Sequence, residues 1–282
     1  MALSGACFPL ESNDPRMDPS STSNETDMKL SQRTILITGG TSGIGLELAR
    51  QLLARDNVVV VTGRDAQRLA EALRAVPGLQ GVVSDVADPA AIARLHDEVL
   101  ARFPALDVLV NNAGVMRNLD LTRERAPADV TREIDVNLRG PLQMIQQFLP
   151  HLRTRREAAI VNTTSGLAFV PLAISPVYSA AKAGLHAYTR ALRVQLAGSA
   201  VRVFEIAPPP VETRLMRGEF EAELKGSRGM APELLARRAI EGIERGRAEI
   251  RPGLANVLKA MSRLAPEFMF GQMTRMMKPA SA

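Results

Sequence analysis

Six short apolar runs, each separated from the next by a longer amphipathic stretch, constrain this chain more than any other feature. They read RTILIT (33–38), NVVVVT (57–62), LQGVVS (79–84), LDVLVN (106–111), AAIVNT (158–163) and VRVFEI (201–206). Short apolar runs of this kind fit strands buried on both faces. The segments between them keep helical spacing. In GIGLELARQLLARD (43–56), Leu48, Ala49, Leu52 and Leu53 form one stripe. In PAAIARLHDEVLARF (89–103), Pro89 opens the helix and Asp88 is its expected N-cap. Strands alternating with helices make βαβ units, whose handedness rule yields an α/β fold with a doubly wound parallel sheet. No internal repeat and no second domain is visible.

The chain has 282 residues, 46% of them hydrophobic, enough to bury one large core. No run of 18 or more apolar residues exists, so no membrane span is expected. The opening MALSGACFPLESNDPRMDPS breaks its short apolar start with acids and prolines, unlike a signal peptide. Cys7 is the only cysteine, which excludes an internal disulfide and multi-cysteine zinc patterns. These features fit a cytoplasmic protein. Lys and Arg number 35 against 30 Asp and Glu, but the arginines are spread along the chain. The densest run, HLRTRRE (151–157), fits an exposed helix end, and no nucleic-acid module or aromatic platform accompanies it. The expectation is therefore no nucleic-acid partner; the positive balance suits attraction of a phosphate-bearing ligand. Residues 1–29, rich in Ser, Asn, Asp, Thr and Pro, read as a disordered tail, with Met28 a second candidate start of translation. Residues 30–282 form the domain.

The chemistry-bearing stretches lie at the ends of the expected strands. ILITGGTSGIG sets the glycines Gly39, Gly43 and Gly45 between a strand and a helix, where backbone N–H groups and the helix dipole can receive a pyrophosphate. After the second strand, an acidic residue would bind the ribose of NAD and an arginine would accommodate the extra phosphate of NADP. Here VVVVTGRDAQRL puts Gly63 in the acidic position and Arg64 next, favouring NADP(H), while Asp65 leaves NAD(H) open. SDVAD supplies Asp85 after the third strand, and VNNAG supplies Asn111, Asn112, Ala113 and Gly114 after the fourth. In PVYSAAKA, Tyr178 and Lys182 are four apart and share a helix face. A nearby ammonium favours the ionised phenol, whose unperturbed pKa is about 10, and would bring it into use near neutral pH.

In order and spacing, the glycine turn, NNAG, Asn137 in DVNLRG, Ser165 in VNTTSG and the Tyr178/Lys182 pair resemble the short-chain dehydrogenase/reductase family. The resemblance covers about residues 29–216 firmly and implies a Rossmann-type oxidoreductase acting on a small-molecule carbonyl or alcohol. It implies a catalytic set of Asn137, Ser165, Tyr178 and Lys182. Tyr178 would exchange a proton with the substrate oxygen and Ser165 would stabilise that oxygen. Lys182 would lower the Tyr178 pKa and hold the nicotinamide ribose, and Asn137 would anchor a water joining Lys182 to solvent. Cofactor contacts are implied for Gly39, Thr41, Ser42, Gly43, Ile44, Gly45, Arg64, Asp85, Val86, Asn112, Ala113, Gly114, Tyr178, Lys182, Pro208, Val211 and Thr213. No metal is needed, and His96, His151 and His186, which lack ligand spacing, read as structural. In IAPPPVET, Pro209 stands where the family usually has glycine, which stiffens the loop beside the cofactor. TTSGLAFVPLAISPVYSAAKAGLHAYTRALR with FEIAPPPVET looks most like the bacterial DltE-type branch, whose name records gene neighbourhood and gives no substrate.

The glycine-punctuated segment 213–232 reads as a substrate lid. The C-terminal extension APEFMFGQMTRMMK concentrates Met269, Met273, Met276 and Met277. It leaves three readings open: a wall of the pocket or of a subunit contact, a membrane-surface helix, or a core helix. The resemblance also implies a homodimer or homotetramer. Two alternatives to the NADP(H) enzyme remain, an NAD-dependent alcohol or steroid dehydrogenase and a non-catalytic NADP(H) sensor.

Overall fold

All six apolar runs form strands in the computed structural model, which describes residues 28–276 except 222, 224, 225 and 227. They are β1 (Thr34–Thr38), β2 (Val58–Gly63), β3 (Gln80–Val83), β4 (Leu106–Asn111), β5 (Ala158–Thr163) and β6 (Val201–Ile206). A short β7 (Glu249–Ile250), too brief to register as an apolar run, extends the sheet beyond β6. All pairings are parallel and the order is β3-β2-β1-β4-β5-β6-β7.

Helices alternate with the strands. They run α1 (Gly43–Leu53), α2 (Ala66–Ala75), α3 (Pro89–Arg102), α4 (Pro127–Ile134), α5 (Gly140–Leu152) and α6 (Pro176–Gln195). Then follow α7 (Arg214–Arg217), α8 (Pro232–Glu244), α9 (Leu254–Leu264) and α10 (Pro266–Met276). A π-helical turn, Asp135–Arg139, joins α4 to α5. Asp88 caps α3 as its sequence predicts, accepting a hydrogen bond from the Ala90 N–H.

Burial on both sheet faces explains the continuous apolar runs. On one face Leu48 and Leu52 of α1, Leu69 of α2 and Leu235 and Ile240 of α8 pack on β1 and β2. On the other, Ile92 and Leu95 of α3, Phe148 of α5 and Leu192 of α6 pack on β4, β5 and β6. β3 departs from the expectation of two buried faces. It is the edge strand, and its Val83 is 53% exposed.

The tail boundary also shifts. Met28, grouped by composition with the tail, is fully buried in the α1/α8 core, and its N–H donates to Glu244 O at 3.2 Å. Residues 1–27 lie outside the described residues. No helix among the described residues is long and apolar enough to cross a membrane.

Replacing Phe148, completely enclosed between α5 and the sheet, removes volume that the surrounding close-packed layer cannot refill. Phe148→Ala is expected to cost about 3–5 kcal/mol of stability. Urea unfolding should show a lower midpoint with unchanged slope; a loss below about 1 kcal/mol would contradict this packing.

Candidate active site

The strand order reverses between β1 and β4, so their connections leave in opposite directions and open a crevice beyond their carboxyl ends. A cavity of about 470 Å³ lies there. The glycine turn forms its floor. Gly39 has φ +66, which favours glycine, and a Cβ there would stand 2.7 Å from Ala113 Cα. A Cβ on Gly45 would come within 2.4 Å of both Asn112 Nδ2 and Gly39 O.

Asn112 and Thr38 tie this turn to the end of β4. Asn112 Nδ2 donates to Thr38 O at 3.0 Å and Gly39 O at 3.2 Å. Thr38 Oγ1 accepts from the Asn112 and Ala113 N–H groups at 3.0 and 3.1 Å. Sequence reading missed Thr38, whose hydroxyl is an unremarkable strand residue until β4 lies beside it. Deeper in, Asn111 Nδ2 donates to Asn162 Oδ1 and Asn162 Nδ2 to Thr189 Oγ1, both at 2.9 Å. Of the VNNAG pair, then, Asn112 faces the cavity and Asn111 belongs to a buried ladder joining β4, β5 and α6.

Every residue implied as a cofactor contact lines the cavity: Gly39, Thr41, Ser42, Gly43, Ile44, Gly45, Arg64, Asp85, Val86, Asn112, Ala113, Gly114, Tyr178, Lys182, Pro208, Val211 and Thr213. Asp85 Oδ1 accepts from the Ala87 N–H at 2.9 Å. Pro208 and Pro209 are buried, and the loop's carbonyls are engaged: Gly166 N–H donates to Pro208 O, and Met230 N–H to Pro210 O. Among the described residues, Thr62 Oγ1 and Thr163 Oγ1 are buried at the cavity without a hydrogen-bond partner.

Ser165, Tyr178 and Lys182 also meet here, and all three are buried. Ser165 leads a 3₁₀ turn, Gly166–Ala168, and its Oγ accepts from the Leu167 N–H at 3.1 Å. Tyr178 and Lys182 sit one turn apart on α6, with Lys182 Nζ 5.7 Å from the centre of the phenol ring. Lys182 Nζ donates to Thr163 O at 2.8 Å.

The titration of this pair corrects the sequence expectation. Burial pushes the Tyr178 phenol up to about 12, with the Ser165 hydrogen bond pulling it down and the Glu133 charge adding to the rise. Burial pushes the Lys182 ammonium down to about 8. Loss of hydration penalises each charged form, and in this enclosed site it is the largest influence on both groups.

Asn137 lies in the π-helical turn but does not line the cavity. Its carboxamide is engaged at both ends by Val115: Nδ2 donates to Val115 O at 2.7 Å and Oδ1 accepts from Val115 N–H at 3.2 Å. Glu133, also missed, accepts from the Arg117 N–H at 3.0 Å, and Ser175 Oγ donates to Arg117 O at 2.9 Å. Burial holds the Glu133 carboxyl above its usual range despite Arg117. These bonds fix the segment after β4 as a wall of the site.

The segment read as a lid carries α7 and the buried Phe220, closed by a bridge between Val211 and Met230. Glu219 Oε2 accepts from Asn118 N–H at 2.8 Å, and Asn118 Nδ2 donates to Glu223 Oε1 at 2.7 Å. Met273 of α10 lines the cavity with Leu254 and Leu258 of α9, which favours the pocket-wall reading of the C-terminal extension.

His186 is held in a polar cluster that spacing did not reveal. Its Nδ1 lies 2.8 Å from Glu205 Oε2, and ligand atoms of His186, Glu205 and Glu249 fall within 4.8 Å of one another. Lys259 Nζ stands 3.1 Å from His186 Nε2 and 3.8 Å from Glu249, so a lysine already brings positive charge to these acids.

The family model for short chain dehydrogenases matches residues 33–224. An uncharacterised oxidoreductase of Bacillus subtilis (strain 168), DltE, is 40% identical over 247 residues, covering 87% of this chain and 98% of its own. The cis-4-hydroxycyclohexanecarboxylate dehydrogenase of Sinomonas cyclohexanicum is 38% identical over 190 residues, 66% of this chain and 76% of its own. Two solved structures are similar throughout. A short chain dehydrogenase from Burkholderia cenocepacia J2315 in complex with NADP has a TM-score of 0.74 at 26% identity, covering 89% of this chain and 100% of that one. A relative from Burkholderia phymatum in complex with NAD has a TM-score of 0.76 at 25% identity, covering 90% and 100%.

The shifted pair makes stability depend on pH with opposite signs. Lys182 falls from 10.5 to about 8 on folding, so between these values the unfolded chain binds the extra proton and stability grows as pH rises. Tyr178 rises from 10.0 to about 12, so its contribution is lost as pH climbs through that window. The unfolding free energy of the wild type minus that of Lys182→Met is expected to increase between pH 8 and 10, followed by urea titration. A difference flat across the interval would show that Lys182 is hydrated.

Proposed function

Because this chain belongs to the short-chain dehydrogenase family, we propose that it is an NADP(H)-dependent oxidoreductase interconverting a carbonyl and an alcohol, with Tyr178 as general acid and base. The observation that carries this reading is the convergence of buried Ser165, Tyr178 and Lys182 on one cavity with the glycine turn. The residues present fit a dinucleotide. Cβ atoms at Gly39 and Gly45 would collide with neighbours in the turn, and partnerless Thr62 and Thr163 hydroxyls border the same space.

When bound, a reduced nicotinamide would supply the hydride that a carbonyl carbon accepts, and an oxidised one would take up the hydride that an alcohol carbon gives up. The protein's part is binding and proton control. The turn after β1, at the N-terminus of α1, would receive the pyrophosphate, and Thr213, whose methyl borders Gly43, would face the nicotinamide end. Ser165 would hydrogen-bond the substrate oxygen and stabilise its developing charge. Burial keeps Tyr178 protonated, the state needed to donate to that oxygen.

The choice of dinucleotide rests on the end of β2. A Cβ at Gly63 would stand 2.5 Å from Thr41 Cγ2, leaving an acidic side chain no room without a shift of Thr41. Asp65 is committed to capping α2, its Oδ1 accepting from Gln67 and Arg68 N–H groups at 3.0 and 3.1 Å. Its Oδ2 lies 3.5 Å from Arg68 Nε. That leaves Arg64 and Arg68 at the cavity edge to meet a phosphate. The proposal extends to a homodimer pairing α4 and α6, where Val194 is 77% exposed.

Tyr178→Phe is expected to lower turnover with NADPH by about 10²–10⁴-fold while leaving nucleotide affinity within about twofold. Full activity in that variant would remove Tyr178 as the acid. Arg64→Asp is expected to move the NADPH-to-NADH preference toward NADH by at least about tenfold, followed by fluorescence titration. An unchanged ratio would mean that Arg64 is not the selector.

A further inference from the structure

The cavity has two chemically different ends. Arg64, Asp65, Arg68 and Asp85 gather where β2 and β3 finish. The opposite end is a hydrocarbon cluster: Leu172, Met216 and Phe220 are buried there, with Met116, Leu167 and Met273 packed against them. These side chains come from four separate parts of the chain, the segment after β4, the loop after β5, the lid and α10. Leu258 of α9 adds to the same wall.

Among the described residues, the other charged groups bordering the cavity are Lys182 and Arg214. Lys182 is engaged by Thr163 O. Arg214 is exposed and directly follows Thr213, whose methyl is 3.1 Å from the Cβ position of Gly43 in the glycine turn. The lid acids Glu219 and Glu223 are bonded to Asn118 and do not line the cavity.

We infer that the substrate is a neutral, apolar ketone or the matching secondary alcohol, its carbonyl at Ser165 and Tyr178 and its hydrocarbon against the Leu172–Met216–Phe220 wall. This rests on the oxidoreductase reading above. In the reducing direction a hydride from the reduced nicotinamide dinucleotide forms the new C–H bond. The carbonyl π pair moves to oxygen, which takes the Tyr178 proton, and the tyrosinate recovers a proton from solvent. The ketone is reduced and the dinucleotide oxidised. A carboxylate pushed into the apolar end would lose hydration with no charged partner among the described residues of that wall, whereas an alkyl or ring substituent gains by leaving water. Three methionines on the wall adapt to ring and branched shapes alike.

The test uses matched pairs: tert-butylcyclohexanone against the ring ketone carrying a carboxylate in place of the tert-butyl group, and a long-chain methyl ketone against the keto acid of equal length. Binding is measured by calorimetry on the full chain saturated with NADP⁺, where no hydride is available, and turnover is measured separately with NADPH. The neutral member of each pair is expected to bind at least tenfold tighter. Equal or tighter binding of the carboxylates, or binding of neither, overturns the inference. A neutral ketone that binds but is never reduced supports the apolar site and overturns the oxidoreductase reading instead. Met273→Lys, which sets an ammonium on the wall, is expected to shift the binding ratio toward the carboxylates at least tenfold. An unchanged ratio in a variant that melts normally counts against the wall as drawn.

Discussion

The site depends on the place where β1 and β4 part. Chain connections from β1 run toward β2 and β3, and those from β4 run toward β5 and β6, so a crevice opens between their carboxyl ends. The gap is held to a fixed width by polar bonds as well as packing. Thr38 Oγ1 and Asn112 Nδ2 stitch the end of β1 to the start of the loop after β4, which makes the close approach at Gly45 necessary. A shift here would open the turn that is proposed to cradle a pyrophosphate.

Burial then governs the electrostatics of what enters that gap. In water, a phenol beside an ammonium would titrate lower and the ammonium higher. On α6 both groups are enclosed, and the dominant effect is the hydration each loses. The result is a phenol held protonated and an ammonium brought close to neutral pH. That differs from the easily ionised tyrosine expected from spacing alone.

A second polar centre supports the far wall. Glu205 of β6 is fully buried, and it receives Thr164 Oγ1 at 2.6 Å and His186 of α6 at 2.8 Å. Lys259 of α9 approaches His186 and lies 4.4 Å over the Phe169 ring. The helix that contributes Leu258 to the cavity is thereby tied to the helix that carries Tyr178. A buried acid of this kind is costly unless paired, and here each partner comes from a different element, so the cluster fixes how those elements sit together.

Sequence alone determined six of the seven strands, because their apolar runs are too short for helices and are separated by amphipathic stretches of helical spacing. It also carried the glycine turn and the Tyr178/Lys182 spacing, since both are local in the chain: Gly39, Gly43 and Gly45 fall within seven residues, and the pair within one helical turn. Thr38, Glu133, Asn162 and the Leu172–Met216–Phe220 wall were not legible, because each acquires meaning only from residues distant in sequence. Nor could spacing give the direction of the Tyr178 shift. The charge of Lys182 is written in the sequence, but loss of hydration is a property of the enclosed site, and only the packed tertiary structure decides how much water either group keeps.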